Sequence, residues 1–199
     1  MRQTLKACDN PFRTERILQM RYRLEGITWP ELLARCEGLR YRAALIGPHG
    51  SGKTTLLEDM EPRFRERGFG TRLIRLDAEH PAFGPGYVDA LAAGLTAKDI
   101  ILFDGAEQMN PLAWRWFDWR MRHTGGLIIT AHRAGQLPTL WECRTSPALL
   151  AGIAGALLEV ERATLHRQAE ALFQKHRGNL RDALWEWYDL AVETSAVEI

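Results

Sequence analysis

Residues 47–55 read Gly-Pro-His-Gly-Ser-Gly-Lys-Thr-Thr, between the apolar run Ala43-Ala44-Leu45-Ile46 and a segment where Leu56, Leu57, Met60 and Phe64 recur at helical spacing. Three glycines and a proline in so short a stretch predict a tight turn from a buried strand into a helix. A buried strand that feeds into a helix suits an α/β layered sheet, which requires further strands beside it. Further short apolar runs supply them: Leu73–Leu76, Ile100–Phe103, Leu127–Ile129 and Ala156–Val160, each near Gly, Asp or Thr, read as buried parallel strands. A helical pattern from Leu112 to Met121 follows the third run. The β-α-β alternation predicts an α/β chain, a three-layer α/β/α fold on a mostly parallel five-stranded sheet.

Past the fifth run the strand signals stop. Leu165, Ala169, Leu172, Phe173 and His176 define one helical face, and Leu180, Leu184, Trp187 and Ala191 a second. Gly178-Asn179 between them suits the stop of one helix and the N-cap of the next. Residues 1–42 carry nine basic groups against five acidic ones, with a helix expected from about Pro30 to Gly38. The chain therefore divides into an N-terminal helical extension (1–41), an α/β core (42–161) and a small helical lid (162–199).

Composition narrows the classes. With 26 basic and 25 acidic residues the net charge is +1, so no bulk field draws this chain to nucleic acid or an anionic membrane. Cys8, Cys36 and Cys143 show no metal-binding spacing and suggest a reducing compartment. No apolar run approaches the length of a membrane span, and no apolar stretch follows the charged start, so a cytoplasmic location is expected.

The chemistry is carried by four stretches. Gly47, Pro48, His49, Gly50, Ser51, Gly52, Lys53, Thr54 and Thr55 fit G-x-x-x-x-G-K-[ST] at every required position. In that pattern glycines let backbone amides approach a phosphate, the lysine adds a point charge, and the threonine offers a hydroxyl to Mg²⁺ at the positive end of the following helix. Asp104 ends the apolar run Ile100–Phe103 at the edge where parallel sheets bind ligands, placed to hold the same ion through water. Together these stretches resemble the Walker A and Walker B motifs of P-loop NTPases. Many such ATPases carry a catalytic glutamate directly after the aspartate, where this chain has Gly105. Glu107 is the nearest carboxylate able to polarise a water, or else a solvated acid opening the next helix, and Gln108 could orient a water.

Gly125–Arg133 is a strand that emits Thr130, His132 and Arg133 at its carboxyl end, and Arg177-Gly178-Asn179-Leu180-Arg181 resembles the G-N-x-R motif of the AAA+ helical lid. The four stretches follow the AAA+ order, so the chain resembles a compact AAA+ ATPase. The resemblance implies ATP bound with Mg²⁺, Thr54 and Asp104 as metal ligands, Thr130 and Arg181 as sensors of the γ-phosphate, and a ring or clamp assembly, hence a homo-oligomer. Its client would be a protein or a nucleic acid. Two other functions share the loop: a small-molecule or nucleotide kinase, and a module that holds nucleotide with little hydrolysis. Among Arg120, Arg122, Arg133 and Arg144, spacing selects no arginine finger. Trp114, Trp116, Phe117, Trp119 and Met121 make a helix apolar nearly all round, which suits a core or a partner-binding face. Arg63, Arg65, Arg67, Arg72 and Arg75 surround the end of the first helix and the second strand and read as a solvated helix end in preference to a nucleic-acid patch.

Overall fold

The runs Ala43–Leu45, Ile100–Phe103 and Leu127–Ile129 have no polar face, and strands of that kind are stable only when both sides are covered. In the computed structural model, which describes residues 21–197, they become three strands of one sheet. The elements are α1 (Trp29–Gly38), β1 (Arg42–Ile46), α2 (Lys53–Glu66), β2 (Gly70–Arg75), α3 (Tyr87–Ala93), β3 (Asp99–Asp104), α4 (Pro111–Arg120), β4 (Gly126–Ala131), β5 (Thr139–Glu142), α5 (Pro147–Leu158), α6 (His166–Lys175) and α7 (Leu180–Val197). The strands lie in the order β2-β3-β4-β1-β5 and every pairing is parallel. All five carboxyl ends therefore share one edge.

Alternate side chains of the strands point to opposite faces. Ala43, Leu45, Ile100, Leu102 and Ile128 bury one face against α1 and α2 through Leu32, Cys36, Leu56, Met60 and Phe64. Ala44, Ile101, Phe103, Leu127 and Ile129 bury the other against α3 and α4 through Val88, Leu91, Trp114 and Phe117. Helix, sheet and helix thus form three layers. The expected helix near Pro30 is α1, started by a capping box between Thr28 and Glu31 with Pro30 in its first turn, and its apolar side belongs to this core. Residues 1–20 of the N-terminal extension, Cys8 among them, lie outside the described residues.

The fifth strand is not where the sequence pattern put it. Ala156–Val160 is no strand: 156–158 close α5, capped by Ser146 with Pro147 in the first turn. Ala and Leu are the strongest helix formers, and in a run with one internal β-branched residue, Ile153, they outweigh apolar continuity. The fifth strand is the four-residue Thr139–Glu142, paired to β1 at the sheet edge.

The described residues divide into a sheet unit, 21–47 with 52–143, and a helical unit, 48–51 with 144–197. The helical unit has its own core, in which Leu150 and Ala154 of α5, Ala169 and Leu172 of α6, and Leu180, Leu184 and Trp187 of α7 are buried together. Gly178 has a left-handed φ of 84°, and Asn179 Oδ1 accepts the amides of Arg181 (3.1 Å) and Asp182 (3.3 Å), so the stop and cap expected at 178–179 are both present. Among the described residues no helix is long and apolar enough to cross a membrane.

Candidate functional site

The shared carboxyl edge collects the polar residues read from the sequence. Thr54, in the first turn of α2, donates its hydroxyl to Asp104 Oδ2 at 3.0 Å and lies 3.2 Å from Oδ1. Thr130, 1% exposed near the end of β4, donates to Asp104 Oδ1 at 2.7 Å and accepts the Gly105 amide at 2.8 Å. Its one hydroxyl proton is thus directed at the carboxylate, which makes Thr130 a residue that fixes Asp104. The pattern joins three elements, β3, β4 and α2, around a single carboxylate.

Lys53 is buried, and its Nζ donates to the Gly47 carbonyl at 2.7 Å across the turn that begins the glycine loop. Gly47 in turn donates its amide to the Ala131 carbonyl at 3.2 Å, tying the loop start to the end of β4. Helix α2 opens on Gly52, with φ 84°, no side-chain cap and no acid in its first turn. Its first amides and positive dipole end thus carry no side-chain cap, an arrangement that favours a negative charge, and the Lys53 side chain leaves from the same turn. Tyr22 Cδ2 and Cε2 lie 3.2 Å from where a Cβ on Gly52 would stand. The Tyr22 amide is held by Asp59 of α2 at 2.6 Å, and Arg21 pairs with the same carboxylate at 2.7 Å. Burial beside the Cys143 thiol pushes the Tyr22 phenol well above its ordinary range.

Within the helical unit the loop tip 48–51 meets the start of α7. Ser51 donates to the Pro48 carbonyl at 2.8 Å. A Cβ on Gly50, whose φ is 69°, would overlap Asn179 Oδ1 and stand 3.2 Å from the Arg181 amide. The G-x-x-x-x-G-K-T loop and the G-N-L-R stretch are thus in contact at Gly50 and Asn179, 129 residues apart in sequence. The Arg181 residue is exposed.

Gly105 explains the departure at the position after Asp104. Its φ is 85°, and a Cβ there would overlap the Leu76 carbonyl oxygen and stand 3.0 Å from its carbon. No glutamate fits there without moving β2's end. Glu107, on the short 3-10 turn Ala106–Gln108, pairs instead with His132: Oε1 lies 3.2 Å from Nε2. Glu107 Oε2 is buried with no hydrogen-bond partner.

One residue beside Asp104 and one pairing escape a sequence reading. Arg75, grouped there with a solvated helix end, stands at the end of β2 in register with Asp104 and reaches Oδ2 through Nε at 3.1 Å while pairing with Glu58 at 3.1 Å. His132 was visible as a polar residue past a strand end, but its pairing with Glu107 needs the fold. Of the aromatic residues in α4, Trp114 and Phe117 are buried, whereas Trp116 and Trp119 are exposed beside Leu112.

The donor set is hard oxygen, a carboxylate and a hydroxyl. Among the described residues no group of three or more His, Cys, Asp or Glu is arranged to hold a metal. Mg²⁺ suits such a sparse site, because it takes one or two protein oxygens and completes its shell with water and substrate phosphate. No protein-family model matches the chain, and no curated protein is significantly similar to it.

Proposed function

We propose that the chain binds Mg-ATP at the loop of residues 47–55 and hydrolyses it, as an ATP-driven switch of the P-loop NTPase class, most similar to AAA+ ATPases, that acts on a protein or nucleic-acid client. The observation that carries this reading is the Asp104 carboxylate, held by Thr54 directly after the buried Lys53 and by Thr130 from the neighbouring strand. An acid, a hydroxyl and an ammonium assembled at one sheet edge beside an uncapped helix N-terminus form a phosphate and cation site. Bound there, magnesium would spread the negative charge of the transferring phosphoryl group. Lys53 exchanges its carbonyl partner for phosphate oxygens, Thr54 and Asp104 hold the cation, and Thr130 keeps Asp104 aimed. Arg181 is the lid arginine of this reading.

The test is ATP turnover by the purified chain with Mg²⁺ over a range of protein concentrations, with Lys53→Ala as the blank. Turnover that vanishes in the variant supports the reading. A rate per chain that rises with concentration supports completion of the site by a neighbouring copy. Binding without turnover favours a module that holds nucleotide, or a kinase short of its acceptor. A folded protein that binds no ATP contradicts the proposal.

A further inference from the structure

Two periodicities bring a set of charged and polar side chains together. On α2, Thr54, Glu58, Glu61 and Arg65 recur at helical spacing and so share one row. On the strands, alternation turns Ile100, Leu102 and Asp104 of β3 to the α2 face, with Thr71 and Arg75 of β2 beside them in register. One end of the row is closed on itself: Thr71 donates to Glu61 at 3.0 Å, and Arg65 reaches Thr71 at 2.8 Å and Glu61 at 2.6 Å. The other end holds Asp104. Its Oδ2 accepts the Thr54 hydroxyl at 3.0 Å and lies 3.1 Å from Arg75 Nε, while a terminal nitrogen of the same guanidinium donates to Glu58 Oε1 at 3.1 Å. One cation is shared by two carboxylates.

The two carboxylates are unlike. The Asp104 side chain is 13% exposed and fixed by hydroxyls from Thr54 and Thr130, whereas the side chains of Glu58 and Arg75 are 46% and 49% exposed. Exposed ion pairs contribute little, so Arg75 can change partners at small cost. A guanidinium keeps its charge at any ordinary pH and cannot relieve a nearby cation by losing a proton. Mg²⁺ held by Thr54 and Asp104 would put a dication and this guanidinium on one carboxylate. The protein's movable cation is Arg75, and Glu58 already holds its other end.

We propose that Arg75 is an exchangeable counter-cation of Asp104, displaced onto Glu58 when Mg²⁺ is taken up, so that the Arg75–Glu58 pair sets how strongly Mg²⁺ tightens nucleotide binding. The inference rests on the Mg-nucleotide reading and adds to it control of the metal by two residues outside the glycine loop. No covalent bond changes; one ion pair is exchanged for another.

The experiment is calorimetric titration of ATP into the purified chain, in EDTA and in saturating Mg²⁺, and the quantity read is the ratio of the two affinities. The proteins are wild type, Arg75→Met, Glu58→Gln, Arg75→Met/Glu58→Gln and Arg72→Met, with thermal melts to verify folding and Arg75→Gln in reserve if the methionine variant folds poorly. Arg75→Met is expected to raise the ratio about tenfold, with affinity in EDTA held within about twofold, because a charge competing with the metal is gone. Glu58→Gln is expected to lower the ratio about fivefold, since Arg75 then has only Asp104 to pair with. The double variant is expected to match Arg75→Met, because Glu58 acts through Arg75. Arg72→Met removes the same charge from the neighbourhood without touching Asp104 and is expected to change the ratio less than about twofold. An unchanged ratio in Arg75→Met, an equal rise in Arg72→Met, or a further fall in the double variant overturns the exchange while the nucleotide reading stands. Affinity in EDTA that drops about tenfold in Arg75→Met makes Arg75 a phosphate ligand and overturns it as well. A folded wild type that binds no ATP overturns both.

Discussion

Replacing Gly105 is expected to destabilise the protein, and restoring a glutamate there is expected not to speed hydrolysis. At φ 85° any side chain carries a backbone penalty of about 1–2 kcal/mol. A Cβ would also overlap the Leu76 carbonyl oxygen, and Leu76 cannot retreat freely: it is 5% exposed and its amide donates to the Asp104 carbonyl at 2.9 Å. Such overpacking adds about 1–3 kcal/mol. Gly105→Ala should then lose about 2–5 kcal/mol, which for a chain of this size lowers Tm by about 4–20 °C. Thermal unfolding followed by circular dichroism reads the shift, and ATP turnover reads the site. Gly105→Glu should be at least as unstable and no faster than wild type. A Gly105→Ala variant melting within about 2 °C of wild type, or a Gly105→Glu variant with raised kcat, would refute the account of this backbone.

Thr130→Val should both destabilise and slow the protein, because it orphans the buried Gly105 amide at about 1–3 kcal/mol and releases one oxygen of Asp104; unchanged melting and turnover would contradict the network. Gly50→Ala should weaken the cap of α7, since the new Cβ displaces Asn179 Oδ1 from the Arg181 and Asp182 amides, and a melt unaffected by the change would deny that contact. Stability should fall as pH rises above about 9. Burial pushes the Cys36 thiol from its ordinary 9.0 to about 12 and the Cys143 thiol to about 11. Folded values above the unfolded ones mean that the stabilisation is complete below pH 9 and is lost through 11 to 12. Urea unfolding at pH 8 and pH 10.5 tests the sign, and a Cys36→Ala/Cys143→Ala variant should show the shallower fall; equal slopes would contradict it.

What could be read from the sequence was local. Lys53 and Thr54 are set by spacing within one loop, and Asp104 by its place at the end of an apolar run, so one stretch of chain carries the information for each. Thr139–Glu142 had no such signal: four residues with Trp141 half-exposed at a sheet edge look like a loop, whereas the Ala- and Leu-rich end of α5 mimics a buried strand. Arg75 was opaque for a different reason. Its partner Asp104 is set by β2–β3 register, which a sequence does not display. The Glu107–His132 pair depends on two strands lying side by side in the order β3-β4, again a tertiary fact. Gly105 looked like a missing catalytic residue; its backbone shows a position built for glycine.

The most direct test of the central claim is calorimetric titration of ATP, with and without Mg²⁺, into wild type and Lys53→Ala. The account predicts one ATP bound per chain, tighter with Mg²⁺, and at least about tenfold weaker binding once the charge-assisted contacts of Lys53 are removed. Equal affinity in the two proteins, or no binding by a folded wild type, would contradict it.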